Sequence, residues 1–135
     1  RFDNLARVDA AQVTGADPDT AVTHISIVRS DVTTALPNRF TLVECHPLCS
    51  QAFIPLSQFQ FYVVVGPAKQ TIDASELRAF VTNGRQGISY YPGTWHMPLI
   101  AQEQGQEFLV VDQAARSGNL REHVLPEEVQ LNPAN

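Results

Sequence analysis

The sequence predicts an all-β protein, a barrel or sandwich assembled from short strands. Apolar and β-branched residues alternate with polar ones in several short segments along the chain, and Gly, Pro and Asn stand between those segments. A chain of 135 residues fits one domain with one hydrophobic core. We therefore expect a single domain over residues 1–135, in which residues 114–135 form a polar C-terminal tail.

The pattern places the individual strands in order. A surface turn is expected over residues 8–20, and a dense apolar run over 59–65 predicts a buried strand. Asp73 and Glu76 form a capping pattern for a short helix, Asn83-Gly84 predicts a hairpin, and Pro126 would begin one helical turn. The predicted strands cover residues 22–28, 40–46, 59–65, 78–82, 88–91, 97–102 and 108–111.

Composition excludes some functions and suggests a compartment. Nine basic and fourteen acidic residues give a net charge of −5, which argues against binding to nucleic acid or to an anionic membrane surface. No apolar run approaches the roughly 18 residues that a membrane span requires. The only cysteines, Cys45 and Cys49, lie too far apart on an extended strand to bridge each other. Two reduced, packed thiols predict a cytoplasmic protein.

The polar residues within one predicted strand suggest a pocket. Phe40, Leu42, Glu44 and His46 alternate, so all four would share one face. A carboxylate on the inner face of a small barrel costs several kcal/mol unless it is paired or bound to a cation. A pocket with a cation, a Glu44–His46 ion pair, and a Glu44 that faces solvent at the strand end all satisfy this requirement.

Two spacings resemble the cupin motifs. Glu44-x-His46-x4-Gln51 resembles the first motif, and Gly93-x2-His96 resembles the second. On this resemblance Glu44, His46, Gln51 and His96 occupy the four positions that hold metal in metal-binding cupins. The resemblance implies a divalent ion, with nickel the first choice and manganese, iron or zinc as alternatives on donor chemistry. No organic cofactor is expected.

Four longer blocks resemble the ureidoglycolate lyases. The first runs from His46 through Gln51-Ala-Phe-Ile-Pro55, and the others cover residues 77–87, 95–98 and 108–112. This resemblance implies a double-stranded β-helix of the cupin (jelly-roll) type. It also implies that relatives carry a further N-terminal segment before the block that contains Arg1. A homodimer paired through barrel strands is expected, and its apolar strand faces would include Phe59, Phe61, Val63 and Val65.

The same resemblance implies an activity. A ureidoglycolate lyase splits ureidoglycolate into glyoxylate and urea in allantoin degradation. We expect Glu44 or His46 to act as base and His96 as acid. The expected substrate-binding residues are Arg78, as a clamp for the substrate carboxylate, together with Gln51, Tyr90 and Trp95. Two alternatives are an amidohydrolase that releases ammonia and carbon dioxide, and a non-catalytic cupin that binds a small carboxylate.

Overall fold

The computed structural model describes residues 10–15, 22–114 and 118–134. This part of the chain is almost entirely β, with one short 3₁₀ turn at Ala74–Glu76. The strands are β1 Val22–Arg29, β2 Asn38–Cys45, β3 Gln51–Pro55, β4 Phe61–Gly66, β5 Arg78–Val81, β6 Ile88–Tyr90, β7 Trp95–His96, β8 Ile100–Ala101, β9 Glu107–Ala114 and β10 Arg121–Leu131.

The strands form two antiparallel sheets, which confirms the predicted all-β barrel of the cupin class. One sheet has the order β1-β9-β3-β6, and the other has the order β10-β2-β7-β4-β5 with β8 added beside β4. Sequence neighbours often lie in different sheets, so the chain crosses repeatedly between the two layers. The two sheets therefore enclose a space to which both contribute side chains.

A cluster of aromatic and aliphatic side chains fills one part of the space between the sheets. Phe61 lies edge-on to Phe108, with ring centroids 5.0 Å apart, and thus joins β4 to β9. Its buried members, drawn from both sheets, are Phe61, Val63, Tyr90, Ala101, Phe108 and Val110.

The larger sheet is covered on both faces. Along β4, Phe61 and Val63 face the other sheet, whereas Tyr62 and Val64 pack on the outer side against Met97, Ile100 and Leu131. This double burial explains the unbroken apolar run that predicted a buried strand. It also corrects the predicted dimer surface, because Phe61 and Val63 are buried within the subunit and Phe59 and Val65 pack against the same core.

Four local predictions were wrong, and proline explains two of them. The strand predicted over 97–102 is interrupted at Pro98, which cannot donate to a ladder, so only the two residues of β8 form a strand within it. Pro126 begins no helical turn. It lies inside β10, where the pairing with β2 shifts register between Val124 and Val129.

The third correction concerns the Asn83-Gly84 turn. Gly84 has a positive φ of 84°, and Asn83 Oδ1 accepts a hydrogen bond from Arg85 N at 2.9 Å. The strands on either side, β5 and β6, belong to different sheets, so the turn carries the chain between layers instead of closing a hairpin.

The fourth correction concerns the expected polar tail over residues 114–135, because Arg121–Leu131 forms β10, pairs with β2 and buries Leu125 and Leu131.

Other local expectations hold where the structure describes them. The 3₁₀ turn has the predicted capping box of Asp73 and Glu76, and Cys45 and Cys49 are both free and buried. Much of the surface turn predicted over 8–20, and the block around Arg1, lie outside the described residues. Within the described ranges, no helix has the length and apolar character needed to span a membrane.

The two phenylalanines Phe61 and Phe80 allow a matched test of this packing. Phe61 is fully buried between the sheets, whereas Phe80 on the edge strand β5 is 58% exposed. We expect Phe61→Ala to lower the free energy of unfolding by about 3–5 kcal/mol, and Phe80→Ala by no more than about 0.5 kcal/mol. Urea unfolding followed by fluorescence measures both. Equal losses in the two variants would contradict the core assignment.

Candidate active site

Strand pairing brings Glu44 beside His96. The two residues are register partners on the adjacent antiparallel strands β2 and β7, and His96 Nε2 lies 3.6 Å from Glu44 Oε1. The sequence predicts that His96 converges on Glu44 and His46, and it does. The cupin resemblance also predicts that the two motif strands face each other across the barrel. They lie instead side by side in one sheet.

A glycine turn holds the second motif against the first. Gly93 has a φ of 78°, a conformation that side-chain-bearing residues rarely adopt. Its N–H donates to the carbonyl of His46 at 2.8 Å. The Pro92-Gly93 turn is therefore bonded directly to the backbone of His46, and this bond fixes the direction in which the chain enters β7.

Both histidines have the same hydrogen-bonding pattern. His46 Nδ1 lies 2.9 Å from the carbonyl oxygen of Asn119, and His96 Nδ1 lies 2.9 Å from that of Thr94. A carbonyl only accepts, so each Nδ1 carries the proton and donates. In the neutral imidazoles, both Nε2 atoms then keep a lone pair.

Glu44, His46 and His96 form a group that fits a metal ion. One ligand atom from each lies within 4.8 Å of those of the other two. Two imidazoles with Nδ1 bonded to carbonyls, together with one carboxylate, are a donor set typical of divalent transition metals. The donor chemistry of these three residues therefore fits the ion implied by the cupin resemblance.

Glu44 and His96 line a cavity of about 350 Å³ between the sheets, and the His46 ring lies beside that of His96, with ring centroids 5.4 Å apart. Gln51, the fourth predicted ligand, lines the same cavity from β3 of the smaller sheet, where its Nε2 donates to Asp112 Oδ2 at 3.2 Å. That bond leaves the amide oxygen as a free acceptor. The apolar part of the lining includes Val28, Phe53, Leu99 and Phe108.

Tyr90 forms a wall of the cavity behind His96. The two rings stack nearly parallel, with centroids 4.2 Å apart and an interplanar angle of 12°. The hydroxyl is buried and has no hydrogen-bond partner among the described residues. Burial, reinforced by the charge of Glu44, raises the pKa of Tyr90 well above its ordinary value, so the hydroxyl stays protonated.

Comparison with known proteins identifies the family. A family profile described as ureidoglycolate lyase matches residues 1–132. A ureidoglycolate lyase of Burkholderia mallei (strain NCTC 10229) is 44% identical over 131 residues, which cover 97% of this chain and 72% of that protein. One of Pseudomonas fluorescens (strain Pf0-1) is 43% identical, with 97% and 74% covered. The chain belongs to the ureidoglycolate lyase family.

In this member of the ureidoglycolate lyase family, the histidines favour an ionised Glu44. Hydrogen bonding from His96 protonated on Nε2, and to a smaller extent the positive charges of His96 and His46, lowers the pKa of Glu44 below its ordinary value of 4.5. Partial burial acts in the opposite direction and does not overcome the imidazoles. The site thus presents a carboxylate at neutral pH.

Two predicted substrate-binding residues lie away from this cavity. The Arg78 guanidinium donates to the carbonyls of Ser75 and Leu77, at 2.9 and 2.8 Å, on the surface beside β5. Trp95 precedes His96 on β7 and so faces the opposite side of the sheet, where it is 2% exposed and donates to the carbonyl of Lys69. Their positions give no support to direct substrate contacts.

The more deeply buried face of β2 is not the one that the alternation predicts, and two polar partners of the site have no predicted role. Val43 and Cys45 are the deeply buried residues of β2, while Leu42, on the side of Glu44, is 40% exposed. Asp112 and Asn119, which bond Gln51 and His46, were not predicted. Asp112 ends one of the family blocks, whereas no sequence signal distinguishes Asn119 within the polar C-terminal segment.

The lowered pKa of Glu44 predicts a change in acid stability. Because its folded-state pKa lies below its unfolded value, ionised Glu44 stabilises the fold above about pH 4.5. This stabilisation is lost as the pH falls through the folded-state pKa. In chelator, we expect the difference in unfolding free energy between wild type and Glu44→Gln to shrink on acidification from pH 6 to about pH 3.

Urea unfolding across this pH range measures the effect. Glu103→Gln, in an exposed loop, controls for the loss of one carboxylate. A constant difference between wild type and Glu44→Gln at every pH would show that the histidines do not stabilise the ionised carboxylate.

Proposed function

We propose that this protein is a ureidoglycolate lyase, which splits ureidoglycolate into glyoxylate and urea in allantoin degradation. The observation that carries the proposal is the convergence of Glu44, His46 and His96 at the edge of one cavity, lined by Glu44 and His96, in a chain whose family match spans nearly its whole length. The family residues that would do the chemistry are present, and the fold brings them together.

The reaction needs groups of the kind that this site offers. Elimination of urea requires a base for the proton of the substrate hydroxyl and an acid for the departing urea nitrogen. Ionised Glu44, or His46 through its Nε2, serves as the base. His96, once protonated on Nε2, serves as the acid. Gln51 and Tyr90, which both line the cavity, are the candidates for contacting the ureido and carboxylate groups.

The charge of the substrate favours a cation in the site. Ureidoglycolate is an anion, and it would enter a cavity that already holds the Glu44 carboxylate. Arg29 is the only lysine or arginine among the described residues of the lining, and its guanidinium is already paired with Glu107. The positive charge must therefore come from the imidazoles or from a metal ion.

We infer that Glu44, His46 and His96, with Gln51 as a fourth donor, hold a divalent ion. Nickel is expected from the family resemblance, and manganese, iron or zinc would also suit the donors. When bound, the ion would supply Lewis-acid chemistry to substrate oxygen atoms. The same Nε2 atoms could then no longer exchange protons, so the metal-dependent and acid–base versions of the site exclude each other.

The two rival functions differ in product or in turnover. An amidohydrolase would use water to release ammonia and carbon dioxide, whereas a non-catalytic cupin would bind a small carboxylate without consuming it. A binding module has no need of an ionised carboxylate with two oriented imidazoles close to it. The convergence of these groups therefore favours an enzyme.

Products identify the reaction directly. With racemic ureidoglycolate, we expect urea and glyoxylate to accumulate in equal amounts, faster than in an enzyme-free control that measures their spontaneous release, and without ammonia. Removal of metal with a chelator should lower turnover by about a hundredfold or more, and Ni²⁺ should restore it. Full turnover without metal would exclude the metal-dependent mechanism and support the acid–base mechanism. Ammonia as the main nitrogen product would replace the lyase by the amidohydrolase.

His96 and Trp95 provide a test with an internal control. We expect His96→Ala to lower turnover by about a hundredfold or more, whether His96 serves as acid or as ligand. Trp95→Phe removes a bond to Lys69 on the opposite side of β7, so it should lower the melting temperature and leave turnover per folded molecule within a few fold. A folded His96→Ala variant with wild-type turnover would end the assignment.

We further infer a homodimer, formed through β1. This edge strand of the smaller sheet exposes Ile25 (73%) and Ile27 (63%), which no described residue covers. Light scattering at micromolar concentration should give about twice the 14.9 kDa chain mass. Ile25→Lys should yield monomers, whereas Val124→Lys, at an exposed position on β10, should not. A monomeric wild type would refute the dimer.

We also infer that the protein works in the cytoplasm. Cys45 and Cys49 are both free and buried, and burial raises the pKa of the Cys45 thiol, which makes it less reactive. Unpaired thiols of this kind are typical of reducing compartments.

A further inference from the structure

We propose, resting on the function proposed above, that Asn119 is a positioning residue that fixes the His46 ring with its Nε2 lone pair directed at the site. The main-chain carbonyl oxygen of Asn119 lies 2.9 Å from His46 Nδ1, and this contact selects the tautomer protonated on Nδ1. His46 follows the last residue of β2, so no strand pairing of its own holds the ring.

The Asn119 side chain holds this carbonyl in place. Its Oδ1 accepts a hydrogen bond from Leu48 N at 3.0 Å, and its Nδ2 lies 2.9 Å from Cys49 Sγ. Leu48 and Cys49 follow His46 by two and three residues in the chain. Asn119 therefore bonds both to the His46 ring and to the turn that follows His46. Its side chain needs an acceptor atom for Leu48 N and a donor group for Cys49 Sγ.

Cys49 extends the network by one bond. Its Sγ donates to the carbonyl of Gln113 at 3.4 Å, so the thiol links the end of β9 to Asn119. The buried cysteine thus has a specific partner on each side.

The two histidines differ in how they are held. The partner of His96 Nδ1 is Thr94, two residues earlier, so the local turn sets its tautomer. The partner of His46 Nδ1 is Asn119, 73 residues later in the chain and two residues before β10 begins at Arg121. Orientation of His46 therefore depends on the C-terminal strand being docked, and Asn119 transmits that dependence to the site.

The tautomer of His46 is directly measurable. Long-range ¹H–¹⁵N NMR spectra of the metal-free protein, at a pH where the ring is neutral, distinguish protonation on Nδ1 from protonation on Nε2. We expect wild-type His46 to be protonated on Nδ1, and Asn119→Ala to shift it towards a mixture with the Nε2-protonated form. The Ni²⁺ affinity of Asn119→Ala, measured by calorimetry, should fall by about 10- to 100-fold.

Three comparisons keep the test decisive. Asn119→Asp retains the acceptor for Leu48 N, so it should lie between wild type and Asn119→Ala, and it serves if the alanine variant does not fold. Asn132→Ala, which removes an exposed asparagine bonded to Gln130, is the matched control and should match wild type. His96 should keep its tautomer in every variant, because its partner is local.

Unchanged His46 tautomer in folded Asn119→Ala, with Ni²⁺ affinity within twofold of wild type, would overturn the proposal. The spectra involve no substrate, so the result is independent of the lyase assay. A tautomer shift in a protein that does not cleave ureidoglycolate would support the positioning role and refute the proposed reaction. A working lyase in which folded Asn119→Ala keeps the wild-type His46 tautomer and Ni²⁺ affinity would support the reaction and refute the positioning role.

Discussion

Antiparallel pairing of β2 with β7 is the constraint on which the site depends. It sets Glu44 directly opposite His96, so that the two side chains leave the sheet on the same face. A slip of one residue would direct His96 into the outer core and bring the indole of Trp95 to the carboxylate. Because β7 has only two residues, its own ladder cannot hold the register. The register is held from outside, by β4 and by the burial of Trp95.

Trp95 and His96 divide two tasks between the faces of one strand. Trp95 packs against Val43 and Cys45 on the outer side, and its indole N–H is bonded to Lys69. This burial stabilises the strand position by an amount that a histidine alone would not supply. The neighbouring His96 is then held rigidly against Tyr90 on the inner side. The large hydrophobic residue next to a functional one is thus a support for the site and not part of its surface.

The inner face has polar features that a purely structural core would avoid. An ionised Glu44 lies on the cavity, beside imidazoles whose Nδ1 protons are donated to carbonyls, and the buried Tyr90 hydroxyl has no hydrogen-bond partner among the described residues. Each feature would destabilise a ligand-free core unless another group compensated it. Together they describe a site arranged for a cation and a polar substrate, in which the groups are oriented before the ligand arrives.

The sequence by itself determined the all-β class, most strand positions, the free cysteines and the identity of the residues that converge. Alternation and turn residues depend on local stereochemistry, and the Glu-x-His and Gly-x2-His spacings act within a few residues. Only the tertiary structure decided that β2 and β7 are neighbours, that Trp95 faces away from the cavity, and that Arg78 lies outside it. It alone found Asn119 beside His46. Strand partners and ring tautomers depend on contacts between residues far apart in sequence, and no local pattern encodes those contacts.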